Sequence, residues 1–215
     1  MVSSSRRLVS ARRTGTGRLL NTSPENRSAL TRGASERAPF PQPKSSPPCI
    51  AIIGAGRMGI ALGVELMAQG TELAGYLNRT AKSRRHAAQR LGVSAEADLQ
   101  SLAGRGPELW LLTVPDASLP GVVDALSPLI EPGQYVAHTS GATSVSVLEP
   151  CAAQGAVTLA FHPLQTVTAA PAPELFRGVS VAVTPGAAGA WEAGLRLAEL
   201  LGARPFLLRD EDRAL

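Results

Sequence analysis

The sequence predicts an α/β protein, with a doubly wound, mostly parallel sheet behind a disordered N-terminal tail. Three observations carry this reading. Short apolar runs alternate with helical stretches at the spacing of strand–crossover–strand units, a glycine-rich turn joins the first run to the first helix, and composition breaks sharply at residue 48.

The break is plainest in the charges. The 215 residues include 21 Lys or Arg and 17 Asp or Glu, a net charge of +4. Residues 1–48 hold nine basic and two acidic residues, or +7, and the remainder holds 12 and 15, or −3. The same 48 residues contain nine Ser, six Pro and a single aromatic, Phe40, without an apolar period. Such a segment buries too little surface to offset its ordering entropy, so disorder is expected up to Pro47-Pro48. An Arg- and Ser-rich, acid-poor leader also fits a transit peptide and attracts nucleic acid weakly, but a solvated extension or a misplaced start is the favoured reading. The Ser5-Arg6-Arg7 start leads into Ser10-Ala11-Arg12-Arg13 rather than an apolar region, which argues against an export signal.

Residues 49–209 are expected to form one domain. Cys49-Ile50-Ala51-Ile52-Ile53 is a continuous apolar run, as a strand covered on both faces requires. Gly54-Ala55-Gly56-Arg57-Met58-Gly59 follows at once, then an amphipathic helix over 60–68 that closes at Gly70, and a second strand over 73–77. Next come a basic helix over 81–91, a strand over 109–114, a helix over 118–130, and a strand over 135–139 that ends in Ser140-Gly141-Ala142. Ser144 is placed to cap a short helix that Pro150 interrupts or kinks. Strands over 157–161, 179–183 and 205–208, with a helix over 187–201, complete the alternation.

The remaining totals exclude several classes. Cys49 and Cys151 lie far apart with no CxxC pair, so neither a disulfide scaffold nor a metal site is expected, and a reducing, cytoplasmic setting is the default. No apolar stretch approaches the roughly 20 residues that span a bilayer. Neither a membrane nor a nucleic-acid partner is expected.

GxGxxG is a weak pattern alone, but between a strand and a helix it has the context that dinucleotide binding requires. Gly54 permits the tight turn, Gly56 lets backbone approach a pyrophosphate, and Gly59 lets the helix pack on the strand. The N–H groups around Arg57 and Met58 then face the diphosphate at the positive end of the helix. An NAD site commonly has an acid about 20 residues further on. Here Asn78 stands 19 residues past Gly59, followed by Arg79 and Thr80, and no acid occurs between Leu73 and Ala95. Arg79 suits a 2′-phosphate, and Asn78 and Thr80 offer neutral hydrogen bonds, so NADP is preferred over NAD.

Reactive groups in open α/β sheets lie beyond the carboxyl ends of the strands. Three ends stand out: Val114-Pro115-Asp116, whose first two residues complete the expected cofactor set, His138-Thr139-Ser140, and Phe161-His162-Pro163. His162 is suited to pass the proton that accompanies hydride transfer, and Ser140 to orient the same substrate atom. His138 is balanced between that role and packing in the sheet, and His86 belongs to the surface of the basic helix.

IIGAGRMG, NRT, TVPD, HTSGA and FHPLQT, in this order, resemble the Rossmann-like proteins of NADP-oxidoreductase type whose C-terminal helical half is a domain of unknown function. The chain is more distantly similar to prephenate dehydrogenases, pyrroline-5-carboxylate reductases and 3-hydroxyacid dehydrogenases. The resemblance implies a 2′-phosphate site at Asn78, Arg79 and Thr80. In prephenate dehydrogenases a Ser and a later His-Pro act on the substrate hydroxyl, and Ser140 and His162, 22 residues apart, match them. It further implies that residues 210–215 are the stub of a helical domain that closes the substrate pocket and builds a homodimer. The expectation is an NADP-dependent oxidoreductase domain acting on a small hydroxy, keto or imino acid, with limited turnover without that half. A non-catalytic NADP-binding or sensing module, a truncated fragment, and a deazaflavin-dependent reductase are the alternatives.

Overall fold

The computed structural model describes residues 47–168 and 174–213. The expected tail, apart from Pro47 and Pro48, lies outside the described residues.

Seven strands form one sheet: β1 (Ile50–Ile53), β2 (Leu73–Leu77), β3 (Leu109–Leu112), β4 (Tyr135–His138), β5 (Val157–Pro163), β6 (Ser180–Pro185) and β7 (Arg204–Leu207). Their spatial order is β2-β1-β3-β4-β5-β6-β7. The five strands from β2 to β5 are parallel, β6 runs antiparallel to β5, and β7 is parallel to β6. Order reverses beside β1, which lies between β2 and β3, and opens the crevice where such sheets bind ligands. The helices are α1 (Arg57–Ala68), α2 (Ala81–Leu91), α3 (Leu99–Ala103), α4 (Leu119–Leu126), α5 (Glu149–Ala152) and α6 (Ala190–Leu200).

Strand side chains alternate between two cores. Ile50, Ile52, Leu109, Leu111, Ala137 and Phe161 pack with α1, α2 and α6 on one face. Ala51, Ile53, Trp110, Leu112, Val136 and Ala160 pack with α3, α4 and α5 on the other. Both faces are covered, which is why β1 and β3 read as unbroken apolar runs.

The structure refines several expected elements. The helix expected over 118–130 is shorter: a 3-10 turn (Asp116–Ser118) leads into α4, and a second (Ser127–Leu129) follows it. Pro128 is the physical reason, since it has no N–H to continue the ladder. The third strand stops at Leu112, two residues early, because Thr113 and Val114 turn in against the glycine loop. Ser144 caps as expected, accepting from the Ser146 N–H at 3.0 Å, but the element it starts is a 3-10 turn (Val145–Leu148), with Pro150 in the first turn of α5. α3 has no counterpart among the expected elements; Asp98 caps it by accepting the Ser101 N–H at 2.8 Å. Residues Asp210–Asp212 form another 3-10 turn, after which Arg213 is buried.

One departure from a wholly parallel sheet bears on function. The last pairing of β5 with β4 is Ala160 with His138, and Phe161, His162 and Pro163 are paired to β6 alone. His162 therefore stands on a strand that outruns its parallel neighbour.

Candidate functional site

The glycine turn, the ends of β2 and β3, and the segments after β4 and β5 all lie along the carboxyl edge of the parallel strands. The turn is closed toward the sheet and open outward. A Cβ on Gly54, at φ +92°, would lie 2.6 Å from Val114 Cγ1, and one on Gly59 would lie 2.4 Å from Thr113 Oγ1. A Cβ on Gly56 would meet only the Gly54 carbonyl, at 3.7 Å. Gly54 and Gly59 thus let β1, β3 and α1 close up, and Gly56 leaves the outer face bare for a diphosphate.

The first helical bond of α1 runs from the Ile60 N–H to the Gly56 carbonyl at 2.9 Å. The N–H groups of Arg57, Met58 and Gly59 therefore point out of the helix without an intrahelical acceptor, at its positive end. Arg57 is exposed and Met58 half-buried. These are the donors that the sequence singles out for a diphosphate. Sequence reasoning missed Thr113, whose Oγ1 donates to the Gly54 carbonyl at 2.8 Å and ties the turn to β3. Its only signal is its place at the start of TVPD. Val114 packs against Gly54 as described, and Pro115 begins the turn into Asp116–Ser118.

At the end of β2, Asn78 Nδ2 donates to the Ala55 carbonyl at 3.0 Å and the Ser83 carbonyl at 3.1 Å. Asn78 is thus a strut between the glycine turn and α2, with its Oδ1 left to accept. Thr80 caps α2, accepting the Ser83 N–H at 3.1 Å. Arg79 is exposed between them, and its guanidinium forms no ion pair or hydrogen bond among the described residues. Arg84 instead braces the segment, donating to the Asn78 carbonyl at 3.3 Å. An uncommitted guanidinium therefore stands beside the start of α2.

Beyond β4 and β5 the structure brings Ser140 and His162 to one place. His162 Nδ1 lies 2.9 Å from the Thr139 carbonyl. A carbonyl only accepts, so Nδ1 carries the proton and, in the neutral ring, Nε2 carries the lone pair. Ser140, 7% exposed, closes a local turn. Its hydroxyl donates to Thr143 Oγ1 at 2.8 Å and accepts the N–H groups of Thr143 at 2.9 Å and Ala142 at 3.3 Å. Reaching a substrate requires the Ser140 proton to rotate away from Thr143.

His138 packs in the sheet, wholly buried, and its ring nitrogens have no hydrogen-bond partner among the described residues. Burial, and next the Arg213 charge, push its imidazole down to about 4, so it is neutral at pH 7. His86 is exposed on α2. Among the described residues no group of three or more His, Cys, Asp or Glu could hold a metal ion, and no helix is long and apolar enough to cross a membrane.

A topological switch point, a bare glycine cradle and a free helix N-terminus together define a dinucleotide-binding protein of α/β type. The chain belongs to the Rossmann-like domain family, whose model matches residues 39–163. Among solved structures it is similar to a candidate NADP oxidoreductase from Bacteroides fragilis, at 20% identity and a TM-score of 0.68, covering 78% of this chain and 63% of that one. It is similar to the prephenate dehydrogenase of Aquifex aeolicus in complex with hydroxyphenyl propionate and NAD+, at 18% identity and a TM-score of 0.69, covering 79% and 63%. A pyrroline-5-carboxylate reductase from Coxiella burnetii matches at 15% identity and a TM-score of 0.62, covering 79% and 62%. The chain spans less than two thirds of the length of each. No curated protein sequence matches it.

Proposed function

We propose that this chain is the nucleotide-binding domain of an NADP-dependent oxidoreductase that exchanges hydride between nicotinamide and a small hydroxy, keto or imino acid. The observation that carries the reading is the pairing of the open glycine cradle with the uncommitted guanidinium of Arg79 at the end of β2. The dehydrogenases and reductases among its structural neighbours support the class.

The N–H groups of Arg57, Met58 and Gly59 hold the diphosphate, and Arg79 with the start of α2 holds the 2′-phosphate. Val114 and Pro115, beside the glycine turn, would border the cofactor. When bound, nicotinamide supplies or accepts the hydride. His162 moves the accompanying proton at Nε2, because the Thr139 carbonyl keeps its other nitrogen protonated. Ser140 orients the substrate atom through its hydroxyl, released from Thr143. Fluorescence titration of the full chain with NADPH tests the reading: micromolar binding, weaker for NADH, is expected, and absence of binding at millimolar NADPH would sink it.

A further inference from the structure

Arg213 lies outside the cofactor site, yet it grips the turn beside His162. It is 6% exposed, and its Nη1 donates to the Ser140 carbonyl at 3.0 Å and the Gly141 carbonyl at 3.4 Å. Nε and Nη2 both donate to Thr184 Oγ1, at 3.0 and 2.8 Å, and Thr184 in turn donates to the Leu208 carbonyl at 2.6 Å. Asp210 Oδ1 stands 3.5 Å from Nε and accepts the Val145 N–H at 2.8 Å. A buried cation is thus fixed against two successive carbonyls, held from behind by β6 and the 3-10 turn at Asp210–Asp212.

The peptide geometry has a consequence on the opposite side. A trans peptide points its C=O and N–H in opposite directions. With the Ser140 carbonyl aimed at the guanidinium, the Gly141 N–H is aimed away from it. The next two amides, of Ala142 and Thr143, are taken up by Ser140 Oγ, whereas the Gly141 N–H has no partner among the described residues. The same residue abuts His162: a Cβ on Gly141 would lie 2.7 Å from Nε2. A free donor, polarised through its peptide by a buried cation, therefore stands beside the one His162 nitrogen that has no partner among the described residues.

We propose that the Gly141 N–H and His162 Nε2 form a two-point subsite for the oxygen on the carbon that exchanges hydride, with Arg213 as its positioning residue. The proposal rests on the oxidoreductase reading and narrows it. A donor aimed at the reacting heteroatom suits a carbonyl or hydroxyl oxygen, which accepts from it, whereas a protonated imine brings an N–H that opposes it, so the substrate class is hydroxy or keto acids. In the oxidising direction the C–H bond breaks with its electron pair going to NADP+ as hydride, the O–H proton passes to Nε2, and the C=O bond forms while the Gly141 N–H donates to its oxygen.

The test is an amide-resolved NMR titration of the full chain saturated with NADP+, using oxamate as a keto-acid probe and proline as a cyclic-imine product probe. Oxamate is expected to move the Gly141 amide proton downfield, and proline to leave it unmoved. Arg213→Gln should weaken oxamate about tenfold, the loss of one charge-assisted contact, with NADP+ affinity unchanged, and Arg213→Lys should recover part of it. Oxamate failing to bind at tens of millimolar, or binding without moving Gly141, overturns the subsite. Equal loss of oxamate and NADP+ in Arg213→Gln overturns the positioning role. Failure of NADP+ to shift the Gly54–Gly59 amides is a separate result, against the oxidoreductase reading itself.

Discussion

Gly141 and His162 are in contact so close that a Cβ at position 141 would stand 2.7 Å from Nε2 and 2.9 Å from Cε1 of the ring. The ring cannot simply retreat, because Nδ1 is bonded to the Thr139 carbonyl on its other side. Gly141→Ala is expected to push the imidazole off that carbonyl and to cost about 1–3 kcal/mol, the usual range for an overpacked side chain. NADPH affinity should be unchanged. Thermal melting and fluorescence titration on the same sample check both halves.

Arg79 provides the test of cofactor choice. Its guanidinium is uncommitted in the described structure, so its removal costs little in the free protein. Arg79→Asp is expected to weaken NADPH by about ten- to a hundredfold, as one charge-assisted bond is replaced by repulsion, and to leave NADH almost unaffected. Parallel titrations with the two nucleotides read it directly, and equal losses would remove the 2′-phosphate assignment.

The glycine turn depends on a side chain that the GxGxxG pattern does not include. Thr113→Val keeps the shape and removes the bond to the Gly54 carbonyl. The expected cost is about 0.5–1.5 kcal/mol of stability, with a weakening of both NADPH and NADH because the cradle itself loosens. A denaturant melt and the two titrations distinguish this from the Arg79 pattern, in which only NADPH suffers.

His138 predicts a pH dependence of stability. Its ordinary value is 6.5 and its folded value is about 4. Between these, the unfolded chain binds a proton that the folded chain refuses, so stability rises with pH over this window. It is fully present above about 6.5 and falls by up to about 3 kcal/mol as pH drops toward 4. His138→Leu should flatten this part of the curve. Melting temperatures of both proteins from pH 4 to 7.5 give the comparison, and parallel curves would refute it.

The alternation of strands and helices, and the cradle they form, were legible because each rests on local signals. Continuous apolar runs at residues 50–53 and 109–112 mark doubly covered strands, and three glycines at fixed spacing mark a turn with no room on one side. The less visible parts depend on contacts between distant residues. The antiparallel turn of β6 has no sequence signature, since an alternating run reads the same in either direction. Arg213 reads as one more charge near the end of an acidic segment, and only the fold sets it against carbonyls 73 and 72 residues away. Asn78 reads as a ligand for a nucleotide, and nothing local tells that its Nδ2 also braces Ala55 and Ser83.

Because His162 occupies a rung of the β5–β6 ladder, the residue proposed to carry the proton is anchored in regular structure. The turn after β4 shares that constraint, since its Thr139 carbonyl aims the ring and Gly141 leaves no room for a side chain beside it. A new substrate is therefore to be accommodated by exchanging loops other than the one after β4, which belongs with the strand as part of the fixed frame.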